Sequence, residues 1–259
     1  MVDAPIKAKP RIKRGWMPLR VEKIIEETHD TKTFLMVDAD EGGRPFDFRA
    51  GQYLTFRFDD LGPRPVVRSY TISGSPCQAE HTILTVKRVE GGLVSNWLCD
   101  AVTVGTILRA RGPIGKFCYD PQQDHDHLFF VAGGSGVTPF VSIMRQYLSP
   151  LSEEKAPKSM SLLVAYRTQQ DLILWNDLQE INAHPNMRVI TTLTREHAED
   201  KGFWHGRPTP LQLDQAMNES YTNLTVMTCG PQAMMDMVAS HCRQRGVAPD
   251  HIKTESFES

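Results

Sequence analysis

Apolar residues run through the first half of the chain in short bursts, at residues 19–25, 33–37, 53–58, 66–72, 83–89 and 106–110. Turn formers separate them: Gly42-Gly43, Gly62-Pro63, Gly74-Ser75-Pro76 and Gly112-Pro113. Within the third burst Leu54, Phe56 and Phe58 alternate with Thr55 and Arg57, placing the apolar set on one pleated face. Short alternating strands at this spacing predict an antiparallel β-barrel. One segment departs from it, a short helix over residues 93–100.

After a polar linker at residues 121–126 the pattern changes. Residues 127–132 form a nearly continuous apolar run, the mark of a strand buried on both faces. Helices are expected at 137–148, 172–182, 210–216 and 232–245, and strands at 161–165, 187–193, 224–228 and 251–255. Strands alternating with helices predict a parallel sheet covered on both faces. The fold class expected is therefore a two-domain chain, with an antiparallel β-barrel followed by an α/β parallel-sheet domain. The boundaries are a basic tail at 1–17, the barrel at 18–122 and the α/β unit at 126–259. Ligands at open parallel sheets bind beyond the carboxyl ends of the strands, so the crevice between barrel and sheet is the expected site.

Composition narrows this picture. The 259 residues are 40% hydrophobic, enough for a substantial core, and no apolar stretch approaches the ~20 residues of a bilayer span. With 29 basic and 31 acidic residues the net charge is -2, which offers no footprint for nucleic acid. Positive charge collects in the tail, at Lys7, Lys9, Arg11, Lys13 and Arg14, either as a solvated terminus or as a docking arm for an acidic partner. Five scattered cysteines without a Cys-x-x-Cys pair fit reduced thiols and a cytoplasmic location, and exclude a plant-type iron–sulfur cluster within these residues. The nine histidines contain no His-x-x-x-His pair and read as surface residues.

Several segments carry chemistry. Gly133-Gly134-Ser135-Gly136-Val137-Thr138-Pro139 joins a buried strand to a helix, where backbone N–H groups and the helix N-terminus suit a phosphate. Cys229-Gly230-Pro231 makes a second tight turn on the same edge. In the barrel, Arg68-Ser69-Tyr70-Thr71 places a guanidinium and an aromatic ring on one strand face, fit for an anion and a flat ring system. Gly92-Leu93-Val94-Ser95 opens the barrel's helix and offers another phosphate-binding N-terminus.

Together with Gly51-Gln52-Tyr53, residues 84–88 and residues 229–234, these segments resemble the ferredoxin-NADP reductase family in order and spacing. The resemblance extends over residues 19–257. It implies an FAD-binding barrel followed by an NAD(P)-binding domain. On that basis Arg68 pairs with the flavin diphosphate, Tyr70 stacks on the isoalloxazine, and the Thr71 hydroxyl lies near flavin N5, with Ser69 in the same tetrapeptide. Thr85, Val86 and Lys87 line the adenosine side, and Gly92, Val94 and Ser95 turn backbone groups to the diphosphate. Gly134, Ser135, Gly136 and Thr138 receive the NADPH or NADH diphosphate. Cys229 sits beside the nicotinamide, followed by Gly230 and Pro231. Glu255-Ser256-Phe257 resembles the ending of reductases that serve oxygenases, where the aromatic residue covers the flavin. Tyr70, Thr71 and Cys229 are the residues expected at the reacting centre.

Arg195, in Thr194-Arg195-Glu196 after the third parallel strand, is a candidate for contacting a 2′-phosphate, with Arg167 assisting, which leans the nucleotide toward NADPH. The expected reaction is hydride transfer from NAD(P)H to FAD, then single-electron release to an iron–sulfur carrier or a haem or oxygenase partner. That carrier is expected as a separate protein or as a domain fused beyond Ser259. The cofactors supply the chemistry, and the protein holds two flat rings with reacting atoms ~3 to 3.5 Å apart. Two alternatives stay open: a reductase of free flavin, quinone or dioxygen, and a non-catalytic nucleotide-binding module.

Overall fold

The computed structural model describes residues 15–218 and 220–257, so the basic residues Lys7 to Arg14 lie outside the described residues. Six antiparallel strands come first: β1 (Met17–Thr28), β2 (Thr31–Asp38), β3 (Tyr53–Phe58), β4 (Val66–Thr71), β5 (Thr82–Lys87) and, after helix α1 (Leu93–Ala101), β6 (Ile107–Ile114). Their order is β4-β3-β6-β1-β2-β5, and an antiparallel bridge between Ile72 and Leu84 joins the two edges into a barrel. Alternation drives it: Leu19, Val21, Leu54, Phe56, Phe58, Leu84, Val86, Leu108 and Ala110 point into one core. Val94 and Leu98 of α1 join the same core, and Trp97 meets Phe58 edge-on at 5.6 Å between ring centroids.

The second unit is a six-stranded parallel sheet. It comprises β7 (His127–Gly133), β8 (Ser159–Tyr166), β9 (Met187–Leu193), β10 (Trp204–His205), β11 (Leu224–Cys229) and β12 (Ile252–Glu255), in the order β10-β9-β8-β7-β11-β12. Helices α2 (Thr138–Leu148) and α3 (Trp175–Asn182) cover one face, and α4 (Pro210–Ala216) and α5 (Gln232–Gln244) the other. Along β7, Phe130 packs toward α2 while Phe129 packs toward α5, and both are fully buried. Each such side chain contributes roughly 1.5 to 3 kcal/mol of transfer free energy.

Three elements differ from the sequence pattern. Leu174 takes a left-handed conformation (φ 56°), so α3 begins only at Trp175 and the preceding residues form a short 3-10 turn, Gln169–Asp171. Thr168 and Asp171 cap that turn reciprocally. The two-residue β10 is too short to leave a period in the sequence. Strand β1 runs on through charged residues to Thr28, with register irregularities after Val21 and Glu26.

The two units meet along α2. Ser142 Oγ donates to the Gly74 carbonyl (2.7 Å) and Arg145 Nη1 to the Ser73 carbonyl (2.9 Å), while Arg145 Nε is held by Asp177 Oδ1 (3.0 Å). Phe117 packs on Phe140 at 5.8 Å, Lys87 faces Asp171 at 3.8 Å, and Lys253 Nζ donates to the Cys118 carbonyl at 3.0 Å. Among the described residues, no helix is long and apolar enough to cross a membrane.

The turn after β7 is packed on the turn after β11. A Cβ at Gly136 would lie 2.3 Å from the Cys229 carbonyl oxygen, whereas one at Gly134 meets nothing within 4 Å, although φ there is +55°. Gly136→Ala is therefore expected to lose roughly 2 to 3 kcal/mol through overpacking, and Gly134→Ala only about 1 kcal/mol through left-handed strain. Urea unfolding of both variants checks this; equal losses would contradict the packing of one turn on the other.

Candidate active site

The carboxyl ends of β7, β8, β9, β11 and β12 line one edge of the parallel sheet, which the barrel's β4 and β5 approach through the α2 seam. On β4, pleating sets Val66, Arg68 and Tyr70 on one side and Val67, Ser69 and Thr71 on the other. Tyr70 is half-buried with its ring edge-on to Phe56 at 6.2 Å, and burial pushes its hydroxyl up from the ordinary value. Arg68 is exposed; its Nη1 donates to the Val67 carbonyl (2.8 Å), and no carboxylate among the described residues pairs with it. Ser69 shares a hydroxyl contact with Thr55 at 3.1 Å on the outer face. Thr71 is buried, and its Oγ1 has no hydrogen-bond partner.

On β5 the side chains are engaged within the protein. The Thr85 hydroxyl contacts those of Thr33 (2.8 Å) and Ser73 (2.9 Å), Val86 lies in the barrel core, and Lys87 Nζ donates to Asp30 Oδ2 (2.5 Å). What this strand offers to a ligand is its backbone. At the start of α1, Ser95 Oγ accepts the Val89 N–H at 3.2 Å, and a Cβ on Gly92 would fall 2.6 Å from that oxygen, so a side chain there would displace the Ser95 hydroxyl. Val94 is buried in the core, and the first turn of α1 carries no acidic residue.

On the opposite side, Gly134 and Ser135 lead into α2, and the Thr138 hydroxyl donates to the Ser135 carbonyl at 3.0 Å. A Cβ on Gly133 would lie 2.7 Å from Pro231 Cδ, and Gly230 has φ +150°, so both turns are built around missing side chains. Cys229 is fully buried, and burial raises its thiol pKa. Beside it, Thr228 Oγ1 is buried without a partner. In register with Cys229 on β12 stands Glu255, whose buried Oε2 also lacks a partner and whose pKa burial pushes up to about 7. Phe257 follows, 46% exposed. At the far end of the edge, the Arg195 N–H donates to the Arg167 carbonyl (2.9 Å), bringing both exposed arginines together. A cavity of about 480 Å3 near His125, Tyr221 and Gly246 lies at the opposite end of β7 and β11 and is separate from these groups.

The arrangement fits two dinucleotides. Arg68 is a guanidinium without a carboxylate partner among the described residues, beside an aromatic ring, and Gly92 stands at a helix start whose backbone could receive a phosphate. Gly133, Gly134 and Gly136 make a second turn whose backbone could receive a diphosphate. Thr71, Thr228 and Glu255 each carry a buried oxygen without a hydrogen-bond partner. Pattern reading missed Ser142 and Arg145, whose polarity in an amphipathic helix carries no functional signal. It reached Glu255 only through the Glu-x-Phe ending.

Two family models match in tandem: an oxidoreductase FAD-binding domain over residues 18–119 and an oxidoreductase NAD-binding domain over residues 130–240. The chain belongs to the ferredoxin-NADP reductase family. This reductase-family chain is 31% identical, over 93% of its length, to the ferredoxin reductase component of 3-ketosteroid-9-alpha-monooxygenase from Rhodococcus rhodochrous. It is 32% identical, over 92%, to the glycine betaine monooxygenase reductase subunit of Chromohalobacter salexigens. It spans 65% and 63% of those two proteins. Among solved structures, a cytochrome P450 reductase from Amycolatopsis superposes with a TM-score of 0.79 at 26% identity, covering 95% of this chain and 72% of that one. The cytochrome b5 reductase domain of Ulva prolifera nitrate reductase shares the fold, with a TM-score of 0.81 at 21% identity over 96% of this chain and all of that domain.

Glu255 gives the fold of this reductase-family chain a pH signature. Its ordinary value is 4.5 and its folded value about 7, so between these the folded chain keeps a proton that the unfolded chain has lost. Stability contributed here therefore falls as pH rises through that window. Urea midpoints measured from pH 4.5 to 8 should show a decline that Glu255→Gln flattens; an unchanged slope in the variant would place the titration elsewhere.

Proposed function

We propose that this chain is an FAD-containing NAD(P)H oxidoreductase that feeds single electrons to an iron–sulfur carrier, separate or fused, in an oxygenase system. The observation that carries the reading is the seam: α2 starts at the glycine cradle of one dinucleotide and grips the backbone directly after the Arg68–Thr71 segment of the other. The names of the Rhodococcus and Chromohalobacter relatives support the oxygenase assignment. In this reading residues 18–122 form the flavin unit and residues 126–259 the nucleotide unit. Five unpaired thiols support a reducing, cytoplasmic setting.

When bound, FAD would supply the redox chemistry, taking two electrons as one hydride and giving them up one at a time, with the proton released to solvent. The chain's own residues bind and orient. Arg68 neutralises the flavin diphosphate, Tyr70 provides a ring to stack on, and Gly92, Val94 and Ser95 present backbone N–H groups, as do Thr85, Val86 and Lys87 along β5. Thr71 directs its free hydroxyl toward the reacting edge. Gly134, Ser135, Gly136 and Thr138 hold the nucleotide diphosphate, with Gly230 and Pro231 shaping the adjoining turn. Cys229 packs beside the nicotinamide, Phe257 covers the flavin, and Glu255 Oε2 holds a proton near neutral pH. Thr71, Thr228 and Cys229 are all buried.

Purified protein reconstituted with FAD is expected to be yellow and to bleach anaerobically on adding NADPH or NADH. Arg68→Ala should weaken FAD binding roughly tenfold or more by leaving a diphosphate without its counter-charge. Cys229→Ala should keep the flavin and slow its reduction. A colourless protein that takes up no flavin contradicts the reading, and full flavin affinity in Arg68→Ala contradicts the placement of the diphosphate. A panel of acceptors, with an oxidised iron–sulfur protein preferred over quinone, tests the partner.

Arg195 is proposed to select NADPH through its guanidinium. Arg195→Ala should raise the KM for NADPH roughly tenfold while leaving that for NADH nearly unchanged; equal changes for the two would remove Arg195 as the selector.

A further inference from the structure

His197, Glu199 and His205 form an exposed cluster at the β9–β10 end of the sheet, in the segment that follows Arg195. One donor atom from each lies within 4.8 Å of the other two. His205 is held rigidly. It pairs in parallel register with Leu193, its carbonyl accepts from Gln212 Nε2 (2.9 Å), and the next residue, Gly206, donates its N–H to Leu193 (2.9 Å).

The His205 ring is also oriented. Its Nδ1 lies 3.0 Å from the Glu196 carbonyl oxygen, which can only accept, so Nδ1 carries the proton and Nε2 keeps its lone pair. A ring N–H given to a backbone carbonyl is the arrangement that fixes the tautomer of metal-ligating histidines. The carbonyl is steady because the Glu196 carboxylate is anchored by the Gln169 N–H at 2.8 Å.

His197 stacks on His205, with ring centroids 3.6 Å apart, and its Nδ1 stands 3.1 Å from Glu199 Oε1. The carboxylate can only accept, so His197 Nδ1 carries the proton and its Nε2 keeps the lone pair. The side chain of His197 is 75% exposed, and binding an ion beside the fixed His205 requires it to leave the ring stack by rotation about its χ angles. By contrast, the cluster of His29, Asp30 and Asp171 already has its cation, Lys87.

We propose that His197, Glu199 and His205 form a binding site for a borderline divalent cation of the Zn2+ class, with water completing the coordination. Two imidazoles and a carboxylate make an N2O donor set that suits Zn2+, Co2+ or Ni2+ and disfavours the oxygen-seeking Mg2+ and Ca2+. The site is independent of the oxidoreductase reading, since it needs neither dinucleotide.

The test is direct metal binding by the full chain after chelator treatment. Zn2+ titration against a chromophoric chelator should show one equivalent bound, with Mg2+ unable to compete. His197→Ala and His205→Ala should each weaken it roughly tenfold or more, and Glu199→Gln less. All three residues are exposed, and unchanged circular dichroism would show that the variants fold. Co2+ in the same site should give d–d bands without a thiolate charge-transfer band. Unchanged affinity in the His197→Ala/His205→Ala double variant, a thiolate band, or the absence of a bound equivalent would each overturn the proposal.

Discussion

Two hydrogen bonds from one helix set the geometry on which the remainder of the molecule depends. Ser142 and Arg145 of α2 donate to the carbonyls of Gly74 and Ser73, just past the Arg68–Thr71 segment of the barrel. Thr138, at the mouth of the glycine cradle, stands four and seven residues earlier, so all three lie on one face of a rigid rod. At 1.5 Å per residue that fixes about 6 and 10 Å along the axis. The link is costly to break. Ser142 is fully buried, and removing its hydroxyl would strand the Gly74 carbonyl, at about 1 to 3 kcal/mol. Arg145 is braced in turn by Asp177.

Beneath that link, the seam is filled by polar groups that satisfy one another. Hydroxyls of Thr33, Thr85 and Ser73 form a chain linking β2, β5 and the segment after β4, and Lys87 sits between Asp30 of the barrel and Asp171 of the sheet unit. Of the side chains on β5, Lys87 spans the two units, while the strand's backbone pairs with β2 over residues 82–87. Buried oxygens without a hydrogen-bond partner occur in both units, among them those of Thr71 and Thr82 in the barrel and Thr228 and Glu255 in the sheet unit. A site whose chemistry belongs to its cofactors needs few reactive side chains but a firm frame.

Much of the fold could be read from periodicity, because it rests on strong and local signals. The alternation of Leu54, Phe56 and Phe58 and the unbroken run of β7 each specify a face or a buried strand. The pieces that escaped have no local signature. Strand β10 is two residues long, Leu174 adopts a left-handed turn inside an otherwise helical pattern, and the reach of Lys87 to Asp171 exists only after the units dock. In the site, glycine turns were visible because their backbone demands are written in residue type. The orphaned Thr71 hydroxyl, the raised carboxyl of Glu255 and the convergence of His197 with His205 arise from burial or from chain separation that periodicity does not encode.

If α2 is the spacer that aligns the two dinucleotides, loosening its grip should harm their reaction without emptying either cradle. The decisive measurement is the anaerobic rate of FAD reduction by saturating NAD(P)H in the Ser142→Ala/Arg145→Met double variant, with both binding affinities measured alongside. The account predicts near-normal affinities and a reduction rate lowered roughly a hundredfold, as expected for a misplacement of about 1 Å. A wild-type reduction rate in that variant would contradict it.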